Sequence, residues 1–382
     1  MARQDYRISF GDLKVSERAK EYVKDALDTN YVSGGPRVRE FEDGWGILFG
    51  HKYSVAMSNG TAANTAACMA LYDFGATRGD EIIAPALAFA AVGNSIMQAG
   101  FEPAFVDIRR DTMNIDSDLI ERRINNKTRA IIAVHTMGKP CDMERIMEIA
   151  KEYDLKVIED CCEAYGGTYS GRYNGTIGDL STSSFYVAHI ISCGDGGMVS
   201  TSDPEIESVL RSIKDHGRRP GSMYFDHERH GANFRMNALT ASVGLPEIDT
   251  FWQTFGKRVK NFRDLSEMTR DLEDRAYFVK SSKREGLAPH AFSLTLKDPS
   301  LDYGKFYDFL DKRGIECKRN FGSMPTQHGA FKHLGHKLGE FPEAEFVGDN
   351  GLHFGIHQFL SKDDMSYASE VIHEYFSKKI MI

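Results

Sequence analysis

The chain has 382 residues, and 47 Lys and Arg against 55 Asp and Glu give a formal net charge of −8. Hydrophobic residues make up 41% and charged residues 27%, a balance that supports a packed core and excludes intrinsic disorder. The acidic balance argues against a nucleic-acid-binding protein, because phosphate backbones attract a basic surface. At about 150 residues per domain, the length predicts two or three domains, or one large domain with an appendage.

The sequence contains no candidate membrane segment and no metal-binding motif. Residues 82–97 are the most apolar stretch near the front, but Pro85, Gly93 and Asn94 interrupt them, and a bilayer span needs about 20 residues. The first fifteen residues lack an apolar signal core. Six scattered cysteines without a C-x-x-C motif predict neither a disulfide framework nor a zinc site. We therefore expect a cytoplasmic protein with no metal and no membrane partner.

Short apolar runs alternate with helical patterns in the first half of the chain. Each run is β-branched, apolar on both faces and bounded by Gly, Asp, Asn or Pro, which predicts buried parallel strands. The runs cover residues 53–57, 81–86, 102–108, 129–135, 155–160 and 196–200. Residues 63–75 and 142–153 show helix periodicity. The alternation predicts an α/β doubly wound sheet, with functional residues beyond the carboxyl ends of its strands.

The pattern changes after residue 244. A helical stretch over residues 238–268 leads into mixed strand and helix that continues to the C-terminus. We therefore predict a large domain over residues 1–250 and a smaller α+β domain over residues 251–382.

Residues 58–64, Ser-Asn-Gly-Thr-Ala-Ala-Asn, join the first strand to a helix. Small residues at such a turn let backbone N–H groups approach a phosphate, although an ordinary N-cap has the same composition. Phe89 follows the second strand, where it either stacks on a flat cofactor or belongs to the core.

Later strand ends carry titratable groups. Asp160 and Glu163 follow the fifth run, and a carboxylate there either pairs with a protonated ring nitrogen or caps a solvated loop. Ser184 offers a hydroxyl to a phosphate, and His189 is either a general base or a structural histidine. Each of these signals is weak when taken singly.

Taken together and in order, these motifs resemble the DegT/DnrJ/EryC1/StrS family of sugar-modifying enzymes. The matching segments are residues 33–41, 58–64, 105–108, 157–164, 184–189, 194–200, 233–244 and 339–345. The resemblance implies an aspartate-aminotransferase-like α/β fold (fold type I) and the cofactor pyridoxal 5′-phosphate (PLP). It assigns Gly60, Thr61, Ala62 and Ser184 to the cofactor phosphate, Phe89 to ring stacking and Asp160 to the pyridine nitrogen. It assigns Asn233 to the phosphate of the neighbouring subunit, which implies a homodimer with a shared active site.

One residue departs from the family's aminotransferases. His189 stands where they carry the lysine that forms a Schiff base with PLP, and no lysine occurs between Lys156 and Lys214. A histidine at this position is typical of the family's 3-dehydratase branch. Glu163, where aminotransferases usually have Gln, and residues 350–358 also resemble the GDP-4-keto-6-deoxymannose 3-dehydratases of that branch.

The resemblance implies a 3-dehydratase that removes the 3-hydroxyl of an NDP-4-keto-6-deoxyhexose, expected to be GDP-linked, in deoxysugar and O-antigen (lipopolysaccharide) biosynthesis. L-Glutamate converts PLP to pyridoxamine 5′-phosphate (PMP), and His189 is the catalytic acid–base. No Cys-x-Cys pair occurs, so the chain resembles the members that need no iron–sulfur cluster and no reductase partner. We expect Glu163 to hydrogen-bond near the cofactor O3′. His216 and His357 either contact the sugar or are structural.

Three alternatives stay open at this point. The first is an NDP-4-keto-sugar aminotransferase with an altered lysine. The second is a non-catalytic protein that binds PLP or a sugar nucleotide. The third is a PLP-dependent deoxygenase of another substrate, such as a nucleoside antibiotic precursor.

Overall fold

The computed structural model describes residues 6–223, 225–298 and 301–378. The α-helices are α1 (Glu17–Asp28), α2 (Pro36–Phe49), α3 (Gly60–Ala70), α4 (Ala91–Ala99), α5 (Ser117–Ile120), α6 (Met143–Glu152), α7 (Pro204–Ile213), α8 (Ala238–Met268), α9 (Tyr303–Lys312), α10 (Met324–Gln327), α11 (Pro342–Asn350) and α12 (Lys362–Lys378). The strands are β1 (Tyr53–Met57), β2 (Glu81–Pro85), β3 (Glu102–Val106), β4 (Thr128–Val134), β5 (Lys156–Asp160), β6 (Thr168–Tyr169), β7 (Arg172–Tyr173), β8 (Leu180–Ser184), β9 (Gly197–Thr201), β10 (Ala276–Phe278), β11 (Glu285–Gly286), β12 (Ala291–Leu296), β13 (Cys317–Arg319) and β14 (Gly351–Gly355).

Seven strands form the main sheet in the order β1-β9-β8-β5-β4-β2-β3. Neighbours from β8 to β3 are parallel, which confirms the predicted mostly parallel sheet. The prediction of a parallel strand over residues 196–200 is wrong, because β9 pairs antiparallel with both β1 and β8. The loop over residues 185–196 contains no helix, so β9 returns beside β8 instead of crossing over. The hydroxyl-rich strand β8 has no apolar signature, and the sequence did not predict it.

Small side chains let α3 lie directly on this sheet. Ala63, Ala66 and Ala67 are fully buried, and the helix contacts β8 and β9. The side chain of Asn59 caps the helix by accepting a hydrogen bond from the amide of Ala62. The amino end of α3 is thereby fixed beside the carboxyl end of β1, where the predicted phosphate turn lies.

The C-terminal part of the chain forms a second, antiparallel sheet in the order β10-β12-β14-β13. Phe292, Phe306 and Phe354 lie in the core between this sheet and its helices. Met324 and Phe331 pack instead into the core of the main sheet. The helix α8 passes residue 250 without a break, and the domain boundary there stays a prediction.

The 31-residue α8 is the longest helix and contacts α1, α2 and α12. It buries three polar side chains, those of Ser242, Arg258 and Asn261. Among the residues that the structure describes, no helix combines the length and apolar character that a bilayer crossing requires.

Candidate active site

Gly60 and Ser184 meet where α3 begins and β8 ends. A Cβ added to Gly60 would lie 2.6 Å from the Cβ of Ser184, so only glycine fits at this approach. The first amides of a helix have no intrahelical acceptor, and Gly60, Thr61 and Ala62 form the first turn of α3. Ala62 is already bonded to Asn59. The geometry therefore offers helix amides and one hydroxyl to an anion.

Asp160 ends β5 and is buried, which excludes the solvated-loop interpretation. Its Oδ2 accepts a hydrogen bond from Asn64 Nδ2 at 2.8 Å, and its Oδ1 accepts one from the amide of Cys162 at 3.0 Å. Asn64 in turn accepts a hydrogen bond from the hydroxyl of Thr182. This chain of bonds joins α3, β5 and β8 and orients the carboxylate. Sequence reasoning assigned no role to Asn64, although a lone amide within an alanine-rich helix was a usable signal.

Phe89 lies beyond the end of β2 with 65% of its surface exposed, which excludes the core interpretation. Its ring contacts Phe321 edge-on, with centroids 6.1 Å apart. An exposed aromatic ring at a strand end is available for stacking.

Glu163 is half-buried and its Oε2 accepts a hydrogen bond from the amide of Met137 at 2.7 Å. Its Oε1 lies 3.7 Å from Nε2 of His290. Burial, together with the charge of Asp160, raises the pKa of Glu163 to about 7, while the Met137 bond opposes this shift. The carboxyl group therefore changes charge near neutral pH. His290 was not identified from the sequence, and no motif marked it.

His189 lies in the loop between β8 and β9, packed against His290 with ring centroids 5.0 Å apart. Its Nδ1 is buried and has no hydrogen-bond partner in the described part of the chain. Burial, and then the positive charge of Arg258, lower the pKa of His189 to about 3. The imidazole is therefore neutral at physiological pH and has an unused nitrogen.

Asn233 and Phe89 stand apart from the other predicted site residues. Asn233 is exposed beside the end of α7, with its backbone bridged to Asp215. In the described residues, neither Asn233 nor Phe89 makes a hydrogen bond or ring contact with another predicted site residue.

The two further candidate histidines have local partners. The amide of His216 donates to Ala232 O, and its backbone has a φ of +62°. His357 is buried and its Nε2 lies 3.1 Å from the hydroxyl of Ser9.

The DegT/DnrJ/EryC1/StrS aminotransferase family model matches residues 14–373. The chain belongs to this family. Two curated relatives of this chain differ from each other in the activity that their names give. GDP-perosamine synthase from Escherichia coli O157:H7 is 32% identical over 95% of this chain and 96% of its own length. The dTDP-4-dehydro-2,6-dideoxy-D-glucose 3-dehydratase of Saccharopolyspora spinosa is 30% identical over 93% of this chain and 83% of its own length.

Solved structures of related proteins include a mutant of GDP-4-keto-6-deoxymannose-3-dehydratase (ColD) with bound GDP-perosamine. It superposes with a TM-score of 0.87 at 25% identity, covering 96% of this chain and 100% of that one. These likenesses confirm the fold-type I prediction. The chain is therefore a member of a PLP-dependent family of sugar-nucleotide-modifying enzymes, and structures in both PLP and PMP forms occur among its structural neighbours.

The residues present fit this cofactor. The buried carboxylate of Asp160 matches a protonated pyridine nitrogen. The close approach at Gly60, which has no side chain, leaves room for a phosphate. The exposed ring of Phe89 matches an aromatic face. Gly60 at the start of α3 lies against Ser184, so helix amides and this hydroxyl are close to one another.

Proposed function

We propose that this enzyme is a PLP/PMP- and L-glutamate-dependent 3-dehydratase of an NDP-4-keto-6-deoxyhexose, with GDP as the expected nucleotide. The observation that carries the proposal is His189 in the loop after β8, together with the absence of lysine between Lys156 and Lys214. An imidazole forms no Schiff base with an aldehyde. The cofactor is then held without a covalent bond to the protein.

Lysines on neighbouring segments are engaged elsewhere. Lys139 follows the Glu163-binding turn and pairs with Glu285, and Lys214 lies beside the Asn233 segment and pairs with Glu42. Both lysines lie in ion pairs, so neither offers a free amine that would replace His189. This supports the non-covalent interpretation.

We assign the cofactor contacts as follows. The amides of Gly60 and Thr61 and the hydroxyl of Ser184 bind the phosphate. Ala62 completes this turn while its own amide donates to Asn59. Phe89 stacks on the ring. Asp160 holds the proton on the pyridine nitrogen, and Glu163 lies near O3′. When bound, PLP or PMP supplies a ring that accepts the electron pair of the C–H bond that breaks at its amino-bearing carbon.

His189 is the proposed acid–base. As a neutral imidazole it accepts a proton from the carbon next to the cofactor amine and donates it to the 3-hydroxyl oxygen of the sugar, which leaves as water. Overall, glutamate is oxidised to 2-oxoglutarate and ammonia, and the sugar loses one oxygen. A lysine in the same place would be mostly protonated at neutral pH and would compete for PLP.

Three further features belong to the proposal. Glutamate is the reductant, so no iron–sulfur reductase partner is needed. A homodimer in which Asn233 reaches the neighbouring site completes the phosphate contacts. The protein acts in the cytoplasm, a proposal that the six unpaired cysteines support because a reducing compartment preserves free thiols.

An NDP-4-keto-sugar aminotransferase is the second candidate, and the similarity to GDP-perosamine synthase favours it. Both reactions start from the same cofactor and a 4-keto sugar. They differ in whether nitrogen stays on the product.

The decisive experiment is mass spectrometry of products from GDP-, CDP- and dTDP-4-keto-6-deoxyhexoses with PLP and L-glutamate. The proposal expects loss of one oxygen without gain of nitrogen, and an amino sugar as the product contradicts it. As a second measurement, borohydride reduction of the PLP-loaded enzyme should attach no cofactor to the wild-type chain. His189→Lys should become covalently labelled, whereas Tyr186→Lys, an exposed position in the same loop, is the matched control and should not.

A further inference from the structure

Arg258 lies within α8 and is only 1% exposed. Its guanidinium group donates hydrogen bonds to the carbonyl oxygens of Ala188 (3.0 Å) and His189 (3.1 Å) through Nη2. Nη1 donates to the carbonyl of His290 at 3.2 Å, and Nε donates to the side chain of Gln358 at 3.1 Å. One side chain thus binds the main chain of both imidazole-bearing residues.

The partners of Arg258 are uncharged. No carboxylate lies within ion-pair distance of its guanidinium group in residues 6–223, 225–298 and 301–378. A buried cation without a counter-ion is costly, and burial lowers the pKa of Arg258 to about 10. Three main-chain carbonyls and one amide side chain, and no carboxylate, satisfy its donors.

The uncompensated charge acts on His189 and His290, and also on His357 and Tyr165. It opposes protonation of His189, and it also contributes, after burial and His189, to lowering the pKa of His290 well below its ordinary value. The other titratable groups facing this pair are Tyr186 beside His189, and Glu163 and His353 beside His290.

We propose that Arg258 is a positioning residue for the acid–base: its planar fork fixes the peptide of His189 and the peptide of His290 relative to each other. The inference rests on the proposed function only for the role of His189 in catalysis. Its structural content is that the guanidinium sets the placement of the imidazole and adds to the effect of burial in keeping it uncharged. Lysine carries the charge but cannot make the same four bonds, since its three donors diverge from one nitrogen.

The test compares Arg258→Met and Arg258→Lys with wild type in the full-length enzyme. With the 4-keto sugar nucleotide, Arg258→Met should lower kcat about 100-fold while KM stays within about threefold, because misplacement affects the chemical step more than binding. Arg258→Lys should recover only part of this loss.

The second readout is nitrogen NMR of ¹⁵N-histidine-labelled, cofactor-free enzyme, with the signal assigned by its loss in His189→Gln. Wild-type His189 should stay neutral down to about pH 4, whereas in Arg258→Met it should titrate at least about one pH unit higher. In Arg258→Lys the His189 signals should move, because the fork is lost.

Asn261→Ala is the matched control. Asn261 lies one turn further along α8, is buried, and donates to the carbonyls of Ile356 and His357. Its loss should lower stability without shifting the His189 signals. If Arg258→Met lowers kcat no more than Asn261→Ala does and leaves the His189 titration unchanged, the inference is overturned.

The remaining outcomes also decide. If Arg258→Met does not fold, Arg258→Lys decides alone. The inference is overturned if the His189 signals and kcat of Arg258→Lys equal those of wild type. A wild-type enzyme that makes an amino sugar refutes the dehydratase proposal, while the NMR titration still decides the role of Arg258.

Discussion

Glu163 and His189 are two titratable side chains whose environments push their pKa values in opposite directions. Burial raises the pKa of Glu163 to about 7 and lowers that of His189 to about 3. Both shifts favour the neutral forms, so the site without cofactor carries less charge than its residue types suggest. Opposed shifts of this kind occur where one group must donate and another accept protons.

The Glu163 shift predicts a pH-dependent stability effect of Glu163→Gln. A carboxyl group whose pKa rises from 4.5 in the unfolded chain to about 7 on folding contributes stability below pH 4.5 and loses it as the pH rises through 7. Gln still accepts the Met137 hydrogen bond but does not ionise. From pH 5 to pH 8, the free energy of unfolding of the cofactor-free variant should therefore increase relative to that of wild type, by up to about 3 kcal/mol.

Urea unfolding of both proteins at pH 5 and pH 8 measures this difference. A gap between the two proteins that does not change with pH would show that Glu163 ionises normally in the folded state. Glu207→Gln, in the first turn of α7 and outside the site, is the control and should show no comparable gain.

The start of α3 and the end of β8 together form the proposed phosphate site, which we call the cradle. Neither element forms it alone. Helix amides supply directional donors, and β8 brings the hydroxyl of Ser184 against Gly60. Close packing of α3 on the sheet depends on its alanines, which makes the cradle sensitive to one added methyl group.

Gly60→Ala should therefore separate α3 from β8. The new Cβ would lie 2.6 Å from Ser184 Cβ, so one element has to shift. We expect PLP affinity to fall at least about tenfold and the protein to lose about 1–3 kcal/mol of stability. Equilibrium titration with PLP and thermal unfolding measure the two effects. Gly256→Ala, in the interior of α8 with open space at its Cβ position, should leave PLP affinity unchanged and stabilise slightly.

Near Asn233 in the sequence, residues 217–223 and 225–230 form a mostly exposed segment that we call the arm. Arg218 and His227 bridge the arm antiparallel, and Met223 and Phe225 are both more than four-fifths exposed. Large exposed apolar side chains are typical of interaction surfaces, and in the proposed homodimer the partner would cover them. This supports the proposal of a shared active site.

Mixing two inactive variants tests the shared site. Asn233→Asp places a negative charge where the cofactor phosphate is expected, and His189→Gln removes the acid–base. If Asn233 serves the partner's site, co-refolded hybrids contain one intact site, and activity should return to about a quarter of wild type. The control pair, His189→Gln with Asp160→Asn, should show no recovery because both residues belong to one subunit's contribution. A monomer by light scattering, or no recovery with the first pair, contradicts the proposal.

Much of the architecture followed from local order in the chain. Apolar β-branched runs located β1 to β5, and the helical stretch matched α8 over residues 238–268. The Ser-Asn-Gly-Thr turn, the carboxylate after β5 and the missing lysine were all visible, because each is a local property of composition or spacing. The same reasoning missed β8, a strand of serines and threonines in which the Thr182 hydroxyl finds its partner in Asn64, 118 residues away in the chain.

Contacts between distant segments came only from the tertiary structure. Asn64 lies 96 residues from Asp160, and Arg258 lies 69 residues from His189 in the sequence. Such pairs depend on strand order, on the reversal of β9 and on the packing of α8, none of which leaves a periodic signal. The burial that sets the pKa values of Glu163 and His189 has the same origin. Residue order thus determined which chemical groups stand at the strand ends, and packing alone decided which of them meet.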